Sequence, residues 1–150
     1  MMIAAIGDTG YNIALLVHIV AAFVAFAPAF VHPVLGGQLA SDGGEHGKAA
    51  QHLVRNARMI YGPALIVAGL AGFGLAGFSD KVYSMSQGWL VAAFLIWIVM
   101  NGLLHAVIVP AERAIGSGDS TKAGRANAAN GVMAVLLLVM LIIMIWKPGV

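Results

Sequence analysis

The chain has 150 residues, of which 61% are hydrophobic and 9% charged, and its mean hydropathy is +0.92; a soluble domain of this size needs far more polar surface to cover its core. Eight Lys/Arg against six Asp/Glu give a formal charge of +2, with no charge run and no basic stripe, so nothing marks nucleic acid as a partner. The lack of cysteine excludes disulfides, thiolate catalysis, Cys-ligated zinc and iron–sulfur clusters.

An α-helix needs about 20 apolar residues to cross the hydrocarbon core of a bilayer, and four segments meet that length in chain order. The first covers residues 11–35 and carries His18, Pro28 and His32-Pro33. No Lys or Arg precedes it and no small-residue cleavage site closes it, so it is expected to be retained rather than removed as a signal peptide. Pro28 takes one N–H out of the helical ladder, frees the carbonyl of Val24 and predicts a kink. A polar connection over 36–58 follows, with Gly-Gly pairs, Asp42, Glu45, His46, Lys48, His52 and Arg55.

The second span, 59–78, opens with Pro63 in its first turn, where a missing N–H costs little. Ala64, Ala68, Gly72 and Ala76 form a small-residue stripe at four-residue spacing. Such a stripe lets neighbouring helices approach closely, or makes room for a flat cofactor. A short connection, 79–87, leads to the third span, 88–109, which holds Asn101 and His105 one turn apart. The segment 110–125 reads as a loop containing Glu112, Arg113, Lys122 and Arg125 around a Gly-Ser-Gly-Asp-Ser turn. The fourth span, 126–146, is apolar on every face from Val135 to Ile145 and reads as a lipid-facing strut. The unbroken runs exclude a β-barrel, whose strands alternate. The expected fold is therefore all-α, a single-domain four-helix transmembrane bundle.

Lys/Arg bias orients such a bundle. The first and third connections hold Lys48, Arg55, Arg58, Arg113, Lys122 and Arg125, whereas the second connection and the tails hold Lys81 and Lys147. That asymmetry puts the first and third connections in the cytoplasm and both termini on the outer side. Tyr11, Tyr83, Trp89 and Trp146 then gather at the outer interface, as an aromatic belt does.

Ionisable side chains within spans are costly and usually face the bundle interior or a wet cavity. His18 sits about two turns below the outer surface. His32 and His105 fall at similar depth near the inner one, where they could face each other; His52 approaches from the same side, and His46 reads as solvated. Imidazoles in this setting can ligate haem iron, bind copper or zinc, relay protons, or simply tie helices by hydrogen bonds. Met133, Met140 and Met144 share one stripe of the fourth span, which suits soft Cu(I) ligation but suits apolar gap-filling better. No nucleophile elbow, P-loop, HExxH or GxGxxG motif occurs.

The layout resembles a known superfamily. It shares a histidine early in the first helix, His32-Pro33 at its end, and Arg58 with Gly62-Pro63-Ala64 opening the second. Gly88-Trp89-Leu90 opens the third, His105 lies late in it, and Lys147-Pro148 closes the fourth. These features are similar to the HemJ-type protoporphyrinogen oxidases, their uncharacterised bacterial relatives and the membrane domain of CopD copper-resistance proteins. The resemblance implies haem b on a first-helix histidine, here His18, with His105 and His32 as further cofactor-site candidates, in a multi-pass protein of the bacterial inner membrane. Where the oxidase pattern has a lysine after Trp-Leu, this chain has Ala92-Ala93, and Asn127-Ala128-Ala129-Asn130 replaces Asn-Glu-x-Pro. Those departures align it with the uncharacterised relatives. The expected function is thus a haem b-binding or accessory subunit of a membrane complex, with lipid, other membrane subunits or further copies of itself as partners. A porphyrinogen oxidase and a copper-handling or small-solute protein are the alternatives.

Overall fold

The computed structural model describes residues 6–39, 55–80 and 82–149, with the backbone alone at 30–39 and 57. Helix α1 spans Thr9–Leu39, α2 Gly62–Gly77, α3 Gly88–Leu103, α4 Val109–Gly116 and α5 Ala123–Trp146. A π-helical turn over Ala57–Tyr61 leads into α2, and another over Leu104–Ile108 joins α3 to α4. Among the described residues, four stretches are long and apolar enough to cross a membrane: Thr9–Ala29, Arg58–Gly77, Gly88–Gly116 and Ser120–Trp146. The protein is an all-α bundle of four candidate spans.

The four segments pack as alternating up and down helices. Along α1 the partners on α2 run backwards: His18 lies against Ala68 and Gly72, while Ala25 and Phe26 pack on the cluster that contains Leu65. Phe73 on α2 meets Phe94 on α3, and Trp97, further along α3, reaches back to Leu65. Met133 of α5 packs with Leu104 and Ile108, whereas Ile143 and Met144 reach Trp89 and Leu90. The 79–87 turn and the end of α5 therefore share one end of the bundle, where Lys147 meets Tyr83.

Two kinds of helix contact build the core. The α1–α2 pair is close, with Ala68 and Ala76 of the small-residue stripe buried. The α2–α3 pair is filled by aromatic rings, Phe73 standing edge-on to both Phe94 and Trp97. At Gly69 the indole of Trp97 occupies the volume that a Cβ would take, so glycine is required by the contact rather than by the backbone. Trp97 Nε1 donates to the carbonyl of Leu65 at 2.8 Å, which fixes the ring in that notch.

Three expectations need correction. Pro110 does not begin a loop: the helix continues to Gly116. The widened turn Leu104–Ile108 precedes the proline and places it in the first turn of α4, where no ladder N–H is needed. Pro63 follows the Ala57–Tyr61 turn in the same way. The third span thus has 29 residues, about 43 Å, and only a three-residue turn separates it from the 3-10 turn Ser120–Lys122 that opens the fourth. Secondly, α5 is not simply a strut. Ala126, Ala129, Asn130, Met133 and Leu137 are buried on one face, while Val135, Leu138, Leu141 and Ile145 are exposed. Packing chose that face by shape, because hydropathy does not distinguish one side of α5 from another. The third concerns His105, taken up below.

Candidate functional site

His18 is the polar side chain that the fold places most specifically. It lies in the α1 face that meets α2, and its Nδ1–H donates to the carbonyl oxygen of Ala68 at 2.7 Å across the helix pair. A carbonyl can only accept, so the imidazole carries a proton on Nδ1 and, when neutral, a lone pair on Nε2. A Cβ on Gly72 would stand 3.1 Å from His18 Cε1 and 3.3 Å from Nδ1; the bare glycine lets the ring reach a backbone carbonyl already engaged in its own helix. The ring is partly buried. Nothing in the sequence near position 18 signals this partner, since the acceptor is main chain and lies 50 residues away.

A histidine that ligates a metal usually donates its other N–H to a carbonyl or carboxylate, which fixes ring orientation and strengthens the donor nitrogen. His18 has that arrangement, so as a single axial donor it fits haem iron. Among the described residues its ring packs against the α2 backbone at Ala68 and Gly72. The cavity found inside, with about 20 Å³ open to the centre of a water molecule, is bounded by Pro28, Leu65, Ile108 and Asn130 and does not include His18.

The other expected site residues do not gather around it. His105 lies on the Leu104–Ile108 π turn and is exposed, which corrects the expectation of an inward imidazole. Met100, Leu104 and Ile108 take the buried positions on this segment, and the turn directs the residue after Leu104 outward. His105 is eight residues beyond Trp97, about 12 Å further along the span, so it and His18 occupy different levels. The His32 side chain, His46 and His52 lie outside the described residues, so a His32–His105 pairing does too. Asn101 donates back to the carbonyl of Trp97 at 2.8 Å in its own helix. Among the described residues no three His, Asp or Glu side chains come together around a point that could hold a metal ion. Met133 is buried in the apolar core, the gap-filling role.

At the end of the bundle shared by the 79–87 turn and α5, where an aromatic belt is expected, polar groups form a second constellation. Ser79 is fully buried; its Oγ donates to the carbonyl of Ala76 at 2.7 Å and accepts from the N–H of Tyr83 at 2.9 Å, closing α2 and setting the turn. Lys147 Nζ donates to the Tyr83 hydroxyl at 2.7 Å and stands 4.5 Å from its ring centroid. Tyr83 in turn packs edge-on against Trp89, whose Nε1 donates to Gln87 Oε1 at 3.1 Å. This is a structural clamp, one that anchors the end of α5. No family model, curated protein or solved structure matches the chain.

Proposed function

We propose that the chain is an accessory subunit of a bacterial inner-membrane complex that holds haem b through Nε2 of His18, with both termini on the outer face. The observation that carries the reading is the 2.7 Å bond from His18 Nδ1–H to the Ala68 carbonyl, which sets the tautomer a ligand needs and aims the ring. The resemblance of the first-helix histidine and of the Gly-Pro-Ala and Gly-Trp-Leu openings to the HemJ and CopD group supports the same residue. Haem b, when bound, supplies one-electron redox chemistry. The chain's own contribution is to orient the imidazole between α1 and α2 and to keep it in an apolar, lipid-embedded setting.

The same bond favours a second reading, in which His18 is only a tie between two helices. Absorption spectroscopy separates the two. Protein purified in mild detergent from haem-replete cells is expected to show a Soret band and a b-type pyridine haemochromogen at about one haem per chain, both lost in His18→Ala and kept in Lys147→Ala. A colourless wild-type protein that also fails to take up added haemin leaves the tie as the role of His18.

A further inference from the structure

We infer that the cavity at the centre of the bundle is a binding site for one water molecule, held between the side-chain amide of Asn130 and the carbonyl of Val24 that Pro28 releases. All four spans meet there: Ala25 and Pro28 from α1, Leu65 from α2, Ile108 from the π turn after α3, and Asn130 from α5. Its volume of about 20 Å³ exceeds the 10–15 Å³ or so that a single water requires. The mostly apolar lining would by itself favour a dry cavity.

Two polar features decide otherwise. Asn130 is only 5% exposed, lines this cavity, and its amide makes no hydrogen bond to another described residue. An amide without a partner in a lipid-embedded core carries an uncompensated desolvation penalty. The second feature is Pro28, which is buried and lines the same cavity. In an α-helix the carbonyl of residue 24 points at the nitrogen of residue 28, so Pro28, which itself lines the cavity, leaves that oxygen without its ladder donor. A water has two donors and two acceptors, and it satisfies the amide and the carbonyl together. Ordered water is one of the means by which proline is tolerated in membrane helices.

The test is solution NMR of the full chain in nanodiscs with asparagine labelled by 15N. The Asn130 side-chain amide, assigned by its disappearance in Asn130→Leu, is expected to show a cross-peak to water. Pro28→Ala restores the N–H that Val24 lacks and is expected to weaken that cross-peak several-fold. Stability supplies a second reading if Pro28→Ala folds poorly. Asn130→Leu in the wild-type background is expected to lower the folded-to-unfolded ratio by roughly threefold to tenfold, the range for buried polar contacts between membrane helices. A wild-type amide with no water cross-peak, an Asn130→Leu variant as stable as the parent, or a cross-peak unchanged by Pro28→Ala overturns the proposal.

Discussion

At position 18 two roles share one ring and can be pulled apart by substitution. The amide nitrogen of asparagine lies where the imidazole Nδ1 lies, so His18→Asn keeps a donor for the Ala68 carbonyl but offers no nitrogen lone pair for iron. It is expected to retain most of the parent's stability against a denaturing detergent while binding no haem. His18→Ala is expected to lose about 1 kcal/mol as well, the usual scale for a polar contact between membrane helices. Equal losses of stability in both variants would show that the bond to Ala68 contributes nothing. The two glycines facing aromatic rings give a second comparison. Gly69→Ala places a methyl inside the Trp97 indole, and the ring is held by its bond to Leu65, so overpacking of about 1–3 kcal/mol is expected. Gly72→Ala meets only the edge of His18 at 3.1 Å and should cost less; denaturation in the same detergent ranks the pair.

Among the helices, the third span shows why a proline was misleading in sequence. Pro110 predicts a helix end because its ring clashes with the preceding turn, yet the five residues before Val109 widen into a π turn and the helix resumes. Both features are local, but only the proline has a sequence signature. The break that follows is set by Asp119, which accepts from the N–H and the hydroxyl of Thr121. These bonds, Thr121 foremost and Lys122 adding a little, hold its carboxyl below the ordinary 3.8 despite slight desolvation. A carboxylate whose pKa is lower in the folded state stabilises it above the unfolded pKa, and that contribution is lost as pH falls through the folded value. The 3-10 turn is therefore expected to be protected at neutral pH and to fray below about pH 4. Hydrogen exchange at the Thr121 amide reads this directly, and Asp119→Asn should remove the pH dependence; exchange indifferent to pH in the parent would dismiss the cap. The effect stays small because Asp119 is on the surface.

Across the molecule, hydrocarbon length makes the number of spans readable and leaves their facing hidden. Runs of 20 or more apolar residues have no other stable use, so four spans follow from hydropathy. Which side of α5 is buried does not, since Met133 and Val135 are equally acceptable to lipid. For the same reason the Ala68 acceptor of His18 could not be read from side chains. Orientation rests on a different, electrostatic argument that the fold now sharpens. Because α3, the π turn and α4 run without a break, Arg113 lies 24 residues past Trp89, about 36 Å along the helix and beyond a hydrocarbon core of about 30 Å. Arg113, Lys122 and Arg125 therefore gather at the end opposite Tyr83, Trp89 and Lys147, and the positive-inside bias predicts a cytoplasmic position for that end. The chain contains no cysteine, so single substitutions report without background. Ser84→Cys lies in the exposed turn beside Tyr83, and Ser117→Cys in the exposed turn after α4. A membrane-impermeant maleimide applied to spheroplasts is expected to label the first at once and the second only after lysis. The reverse pattern would turn the protein over in the membrane while leaving the bundle intact. Labelling of both from outside would mean that residues 88–116 do not cross the bilayer.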